Sequence, residues 1–359
     1  MPPIRPLHEL DPTRFETPEI LKQVVRASRA LADLKGRAAS IPNEAILISS
    51  LTLQEAKDSS EIESIVTTHD EIFMGSLPSG SAETAAAKEV RRYGEALRIG
   101  FEAVRRTGLL TLGTVLEVQE RLESNRAGLR RVPGTELKDG AGNTVYLPPQ
   151  DANEVQRLVE ELVSFWHGKP PFDADPLIRM ALIHHQFESI HPFYDGNGRT
   201  GRIINLLYLV KEGLLDIPVL YMSREILRTK PEYYRLLQAV RDPTATRAWE
   251  EWVLYILAAV ERTAIDSLAV VVAIGALLLE TKHRIRDEFR FYSQDLINNL
   301  FSHPYTRIEH VVRDLGVTRL TATKYLDALA ENGVLVKRKI GRSSYYINGR
   351  LCEILRRSG

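Results

Sequence analysis

Through most of the first 280 residues, apolar positions return every three or four residues, the spacing of amphipathic helices. Residues 85–105, 153–166 and 176–190 carry the pattern most clearly. Turn chemistry interrupts it early in one stretch, 128–149. There Gly134, Asp139-Gly140 and Gly142-Asn143 precede Thr144-Val145-Tyr146-Leu147 and Pro148-Pro149, which predicts a β-hairpin around an Asp-Gly-containing turn. Two strands alone are marginal, so the hairpin is expected to pack on helices or on a bound partner. From about Ser293 the texture changes. Short helices over 295–301 and 307–315 are followed by a third, with Thr318 as its N-cap, that runs to Asn332-Gly333. Strands over 334–337 and 344–347 flank Gly341-Arg342, giving the order of a winged helix-turn-helix. The fold class is therefore mainly α, with a small hairpin and a small α+β unit at the C-terminal end.

Length predicts two or three domains from 359 residues. Lys+Arg and Asp+Glu balance at 47 each, which argues against a uniformly basic nucleic-acid binder but leaves room for one basic face. The lone cysteine, Cys352, excludes an intrachain disulfide and suits a reducing compartment. The opening Met1-Pro2-Pro3-Ile4-Arg5 has no apolar core region, so no signal peptide is expected. The most hydrophobic run, Leu268 to Leu279, is shorter than the roughly 18–20 apolar residues of a membrane span and is expected to be a buried helix. A cytoplasmic protein with no membrane partner follows.

The chemistry concentrates in 191–202. The helix over 177–190 carries an apolar stripe and ends at His191-Pro192, where proline favours a break. Gly196 and Gly198 let backbone N–H groups converge, and a new helix beginning near Arg199 offers a phosphate its N-terminus. Arg199 and Arg202 share a helix face and can grip neighbouring phosphates. Asp195 is placed to hold Mg²⁺, and His191 can act as a base near neutral pH. Three other sites have some of the same residues. Gly196-x-Gly198-x-x-Gly201 spells a dinucleotide fingerprint, but a helix stands where that motif needs a strand. A P-loop lacks its Gly-Lys-Ser/Thr ending. A zinc site from His184, His185 and His191 fits the composition but is disfavoured, because adjacent helical residues point about 100° apart and no His-Glu-x-x-His occurs. Packing or orienting roles are expected of His184 and His185.

The run His191-Pro192-Phe193-Tyr194-Asp195-Gly196-Asn197-Gly198-Arg199-Thr200-Gly201-Arg202, with its lead-in Phe187-Glu188-Ser189-Ile190, resembles the signature of the Fic family. Members mostly transfer AMP from ATP to protein hydroxyls, and the resemblance covers about residues 40–280. It implies that His191 deprotonates a Ser, Thr or Tyr hydroxyl and that Asp195 holds Mg²⁺. It further implies that Gly196, Asn197, Gly198, Thr200 and Gly201 line the phosphate turn, with Arg199 and Arg202 neutralising the β and γ groups. Ser59-Ser60-Glu61-Ile62-Glu63 is similar to the family's inhibitory helix motif, so Glu63, with Ser59 beside it, is expected to pair with Arg202 in place of the γ-phosphate. Ser64 stands where the family usually has Gly or Asn. A Glu63 on a solvated helix face is the alternative. The hairpin over 128–149 resembles the family's flap, whose edge could align a target segment. Beyond the motif, Tyr221-Met222-Ser223-Arg224 and Tyr233-Tyr234 are candidates for the nucleotide base or sugar, Arg224 and Tyr233 in particular, with a core role as the alternative.

The division that follows is a helical N-terminal region over 1–110 with an inhibitory helix near 55–70, a Fic-type core over 111–280, and a winged helix over 290–359. Arg319 and Lys324 in the recognition helix, and Lys337, Arg338 and Arg342 in the wing, could contact DNA phosphates. Asp314, Asp327 and Glu331 dilute that patch, and such modules also bind proteins. ATP and a hydroxyl-bearing protein target are the expected partners. Self-modification and homodimerisation stay open, as does DNA binding by a regulator whose Fic-like domain only senses nucleotide. AMP removal, or transfer of another nucleotidyl or phosphate group, is a further alternative.

Overall fold

The computed structural model describes residues 4–75, 84–340 and 343–357. Helices dominate, in the order α1 (Pro18–Ala38), α2 (Glu44–Ile62), α3 (His69–Gly75), α4 (Ala85–Thr107), α5 (Leu112–Glu123), α6 (Ala152–Trp166), α7 (Pro176–Ile190), α8 (Asn197–Lys211), α9 (Met222–Arg228), α10 (Lys230–Arg241) and α11 (Ala248–Glu288). A C-terminal unit adds α12 (Gln294–Ser302), α13 (Ile308–Leu315), α14 (Arg319–Glu331) and α15 (Gly349–Arg357).

Helix α7 lies at the centre, and its chemistry explains why. Asp175 caps it, accepting from Leu177 N at 2.8 Å, and Pro176 occupies the first turn, where a missing N–H costs nothing. From Leu177 onward it is buried on almost every side, Arg179 aside, so it needs neighbours all round. Helices α6, α8 and α11 supply them. Helix α8 in turn lies on α4 and α5. Gly100 of α4 lets the two helices approach, since a Cβ there would meet Val118 at 2.9 Å and overlap Leu207.

The long α11 packs on α1, α7, α9, α10, α12 and α15. By length and composition alone it could cross a membrane, but many of its apolar residues form core. The expectation of a wholly buried run over 268–279 needs correction. Val272 and Leu279, seven apart, are 40% and 55% exposed, because the helix is an outer wall and its neighbours cover only part of its circumference.

The hairpin is shorter than the sequence suggested. Strands β1 (Leu137–Lys138) and β2 (Thr144–Tyr146) pair antiparallel, Lys138 opposite Thr144. The loop between them is organised by Asp139, whose Oδ1 accepts from Ala141 N and Asn143 N at 2.9 Å each.

In the C-terminal unit, β3 (Tyr305–Thr306), β4 (Val336–Ile340) and β5 (Ser343–Ile347) form an antiparallel sheet in the order β3-β5-β4. Gly316, at φ +65°, ends α13, and Thr318 caps α14 through Thr321 N at 3.2 Å. The helices and hairpin follow in the predicted order, with strand β3 added between the first two helices and one shift. Val334 and Leu335, expected in a strand, instead donate to Leu329 O at 2.9 and 3.2 Å and close the end of α14. The unit sits against the N-terminal region: α12 packs on α2, and Asp70 of α3 accepts from Tyr305 Oη at 2.8 Å and from Arg356 Nη2 at 2.5 Å.

Candidate active site

His191 closes α7 as its C-cap, at φ +49°, with its N–H donating to Phe187 O at 2.9 Å. The chain then turns through Pro192–Gly196 and re-enters a helix. Asn197 fixes that loop: its Oδ1 accepts from Phe193 N, and its Nδ2 donates to Phe193 O, both at 2.8 Å. Gly196 adopts φ +76° as the N-cap of α8, so the helix begins at Asn197, two residues earlier than the start expected near Arg199. Thr200 N–H makes the first intrahelical bond, to Gly196 O at 2.8 Å, so the amides of Asn197, Gly198 and Arg199 precede the ladder. This is an anion cradle.

The two arginines of the motif have different partners. Arg199 Nη1 meets Glu89 at 2.7 Å and its Nη2 meets Glu123 at 2.9 Å. Arg202, 2% exposed, donates from Nε to Ser59 Oγ at 2.8 Å, and from Nη2 to Ser59 O at 2.9 Å and Glu63 Oε1 at 2.8 Å. Glu63 therefore pairs with Arg202 while its side chain stays 35% exposed, which makes it a partnered residue at the rim of the site and not an unpartnered one on a solvated helix face. Its carboxylate lies so close to Gly198 that a Cβ there would overlap Oε1. A carboxylate thus rests against the helix N-terminus where a phosphate would be held. Burial pushes the Glu63 carboxyl up, but Arg202, its hydrogen bond, Arg199 and His191 outweigh this and hold it below the ordinary value.

The end of α2 sets the position of Glu63. Ser64 N–H donates to Glu61 O at 2.9 Å and Ile65 N–H to Ser60 O at 3.0 Å, the paired bonds of a Schellman ending. That ending needs a left-handed residue, and Ser64 has φ +66°. The serine thus takes the conformation that the family's usual Gly or Asn adopts more easily. Lys230 of α10 adds a cap, donating from Nζ to Ile62 O at 2.6 Å.

Burial pushes the His191 imidazole down to about 4, helped by the charges of Arg241 and Arg130. The Glu188 backbone and the Glu63 charge pull the other way. Its Nδ1 is covered and makes no well-formed hydrogen bond. The ring is accordingly neutral at pH 7, as a base must be. Glu188 is also wholly buried, and burial raises its carboxyl to about 7.

Several expected contacts lie elsewhere. Thr200 is fully buried, and a Cβ at Gly201 would sit 2.6 Å from Glu188 Oε1, so these two residues serve the packing of α8 on α7 and not the cradle. Arg224 is buried and paired with Asp58 of α2 at 3.3 Å, which removes it from the list of nucleotide contacts. Tyr233 belongs to the core, bonded to His184 Nε2 at 3.0 Å and packed on Trp252. Its neighbour Tyr234, 43% exposed, is the aromatic that feels the charges of Glu63 and Arg202 from the surface. His184 and His185 are buried among Trp249, Trp252 and Tyr233 and held neutral by burial, which fits their expected packing role. Among the described residues no group of three His, Cys, Asp or Glu side chains is arranged for a metal. Asp195 still suits Mg²⁺: its carboxylate is exposed at the cradle, with Oδ1 held by Gly196 N at 2.7 Å. Mg²⁺ commonly takes one or two carboxylates and completes its shell from phosphates and water.

Arg130, Arg241, Tyr146, Lys230 and Glu123 were not singled out in the sequence. Each reaches the site across a long chain separation, and only Arg130 and Tyr146, both within the 128–149 stretch read as the hairpin, have a local cue. In the C-terminal unit Arg319 is paired with Glu309 at 2.9 Å and Lys337 with Asp327 at 2.6 Å, while Lys324 and Arg338 are exposed. Arg342 lies outside the described residues.

Comparison with known proteins agrees with this arrangement. Residues 21–102 match the family model "Fic/DOC family N-terminal", 109–209 "Fic/DOC family", and 277–351 "Protein adenylyltransferase SoFic-like, C-terminal domain". A protein adenylyltransferase fic-1 of Caenorhabditis elegans is 27% identical over 125 residues, 34% of this chain and 23% of that protein. A probable protein adenylyltransferase of Aquifex aeolicus is 39% identical over 64 residues, 18% of this chain and 19% of that protein. These curated relatives are matched over a minor part of their length. Among solved structures, a Fic family protein from Desulfovibrio desulfuricans G20 has a TM-score of 0.56 at 21% identity, covering 93% of this chain and 97% of that one. C. elegans Fic-1 (residues 134–508) has a TM-score of 0.53 at 18% identity, covering 75% and 76%. With the motif, its helical frame and three consecutive family matches in agreement, the chain belongs to the Fic family.

Proposed function

We propose that this protein transfers AMP from ATP to a Ser, Thr or Tyr hydroxyl of a protein, and that Glu63 holds the site closed. The observation that carries this reading is the Glu63 carboxylate, bonded to Arg202 and seated against Gly198 at the start of α8. The names of the curated relatives, protein adenylyltransferases, support the same class of reaction. The hydroxyl oxygen attacks the α-phosphorus as its proton passes to the uncovered His191 Nε2. The bond between the α-phosphorus and the bridging oxygen to the β-phosphate breaks, and pyrophosphate leaves with the electron pair. The α8 amides and Arg202 bind the phosphates once Glu63 withdraws, and Arg199 joins them after releasing a glutamate. Asp195 would hold Mg²⁺, which supplies further neutralisation of the phosphate charge. In such a transfer the protein mainly positions groups and stabilises charge. The exposed edge of β2 is suited to pairing with an extended target segment.

The test is isotopic. ATP labelled at the α-phosphate should mark protein, while γ-labelled ATP should not; the reverse pattern would mean a kinase and overturn the proposal. Mass spectrometry of a cell extract incubated with ATP and the Glu63→Gly variant would identify the target.

A further inference from the structure

The last four carbonyls of a helix have no partner within it. At the end of α7 they are met by residues from outside the helix. Arg241 Nη2 donates to Glu188 O at 3.1 Å, and Tyr146 Oη to Ser189 O at 3.1 Å. Arg130 Nη2 donates to Ile190 O at 3.2 Å and its Nε to His191 O at 2.8 Å. Two residues beyond the helix, the backbone N–H of Arg130 reaches Pro192 O at 2.8 Å. Five consecutive carbonyls around the base are thus taken up by three residues, two of them cations.

Those three residues are also joined to the flap. Arg130 Nη2 donates to Pro149 O at the far end of the hairpin segment. Tyr146 belongs to β2, and the Arg241 guanidinium lies 3.8 Å from the centre of its ring, close enough for cation–π attraction. Arg130 is 1% exposed, and Arg241 is further tied to Ser189 Oγ at 3.1 Å. Two cations at a helix C-terminus, Arg130 buried and Arg241 half-buried, are favoured by its dipole, and they face a histidine whose protonation they oppose.

We propose that Arg130 and Arg241 are positioning residues for His191, fixing the backbone that carries the ring at the end of α7 and coupling its placement to the flap through Tyr146. This rests on the assignment of His191 as the base. The charged groups around the ring are Arg241 from α10, Arg130 from the segment before β1 and Glu63 from the end of α2, while Glu188 of α7 acts on it through its backbone. The two arginines face it with positive charge. Removing one therefore makes the imidazolium easier to form and moves the acid limb of activity to higher pH.

The experiment uses the full chain carrying Glu63→Gly, with and without Arg241→Gln, Arg241→Lys and Tyr146→Phe. Two readouts are taken: the pH profile of α-labelled AMP transfer, and the His191 ring titration by NMR, assigned by its loss in His191→Ala. Arg241→Gln should raise both the acid limb and the ring titration by about one unit or more. Arg241→Lys should restore both in part. Tyr146→Phe, which removes a donor but no charge, should lower kcat about tenfold or less without moving either titration. A rate that falls equally at every pH in Arg241→Gln, with the ring titration unmoved, would overturn the proposal and leave the arginine a merely structural cap. Should the chain transfer no AMP at all, the NMR titration still reports whether the arginine acts on His191, so the two failures are separable.

Discussion

Glu63 Oε1 and Arg202 Nη2 lie 2.8 Å apart although 139 residues separate them in the chain. The contact is directional as well as close. The same Nε–Nη2 edge of Arg202 also bonds Ser59, four residues before Glu63 and so on the same face of α2. One guanidinium therefore fixes both the end of α2 and the place where a phosphate would bind.

Replacing Glu63 should open the site. A charge-assisted hydrogen bond of this kind contributes about 1.5–3 kcal/mol, so Glu63→Gly should raise α-labelled AMP incorporation by roughly one to two orders of magnitude. Comparison of initial rates at fixed ATP checks it; an unchanged rate would mean that the ion pair does not limit activity.

His191→Ala should abolish labelling in the Glu63→Gly background while ATP binding, followed by calorimetry, survives. Because the ring is held at about 4, activity should be flat from neutral pH down to about 5 and fall as pH drops through 4. The sign follows from the neutral ring being the active form. An acid limb near 6.5 would show that the ring is not held down as described.

Stability should also depend on acid. His69, His184, His191 and His310 are held near 3 to 4, below the ordinary imidazole value of about 6.5. Between those values the unfolded chain takes up protons that the folded chain does not, so stability falls as pH drops from 6.5 toward 4. Glu55 and Glu188, raised to about 7, act in the opposite sense and lose their contribution as pH rises through 7. The four histidines outnumber the two glutamates, so the urea midpoint should be lower at pH 5 than at pH 6.5. Equal midpoints would contradict the balance.

The winged-helix unit should bind DNA weakly. Arg319 and Lys337 already have carboxylate partners, so a phosphate must displace Glu309 or Asp327 before gaining either cation. In a mobility-shift assay with a mixed DNA pool, little binding is expected at physiological salt. Tight, salt-dependent binding weakened by Lys324→Ala and Arg338→Ala would restore the reading of the chain as a DNA-binding regulator.

Much of this site could be read in the sequence because the motif is local. His191, Asp195, Gly196, Gly198 and both arginines fall within twelve residues, and helix spacing brings them together without knowledge of the tertiary fold. Glu63 was legible only through its resemblance to a known motif, since spacing alone cannot pair residues on distant helices. Arg130 and Arg241 were illegible for a different reason: carbonyl capping depends on where a side chain ends in space, and arginine is common on surfaces. Tyr233 and Arg224 misled because a polar aromatic or a cation near a motif has the same sequence signal whether it faces a ligand or, as here, the core.

The turn at Ser64 has a consequence for how firmly the site stays shut. A non-glycine residue at φ +66° stores about 1 kcal/mol relative to glycine. If opening unwinds this helix end, the serine releases that strain on each excursion and sets the resting activity several-fold above what glycine would allow. Ser64→Gly should then lower basal labelling about fivefold with the Glu63–Arg202 pair intact, whereas unchanged labelling would show that the turn survives opening. On this view one side chain methylene and hydroxyl act as a set-point, tuning idle turnover without touching nucleotide, target or base.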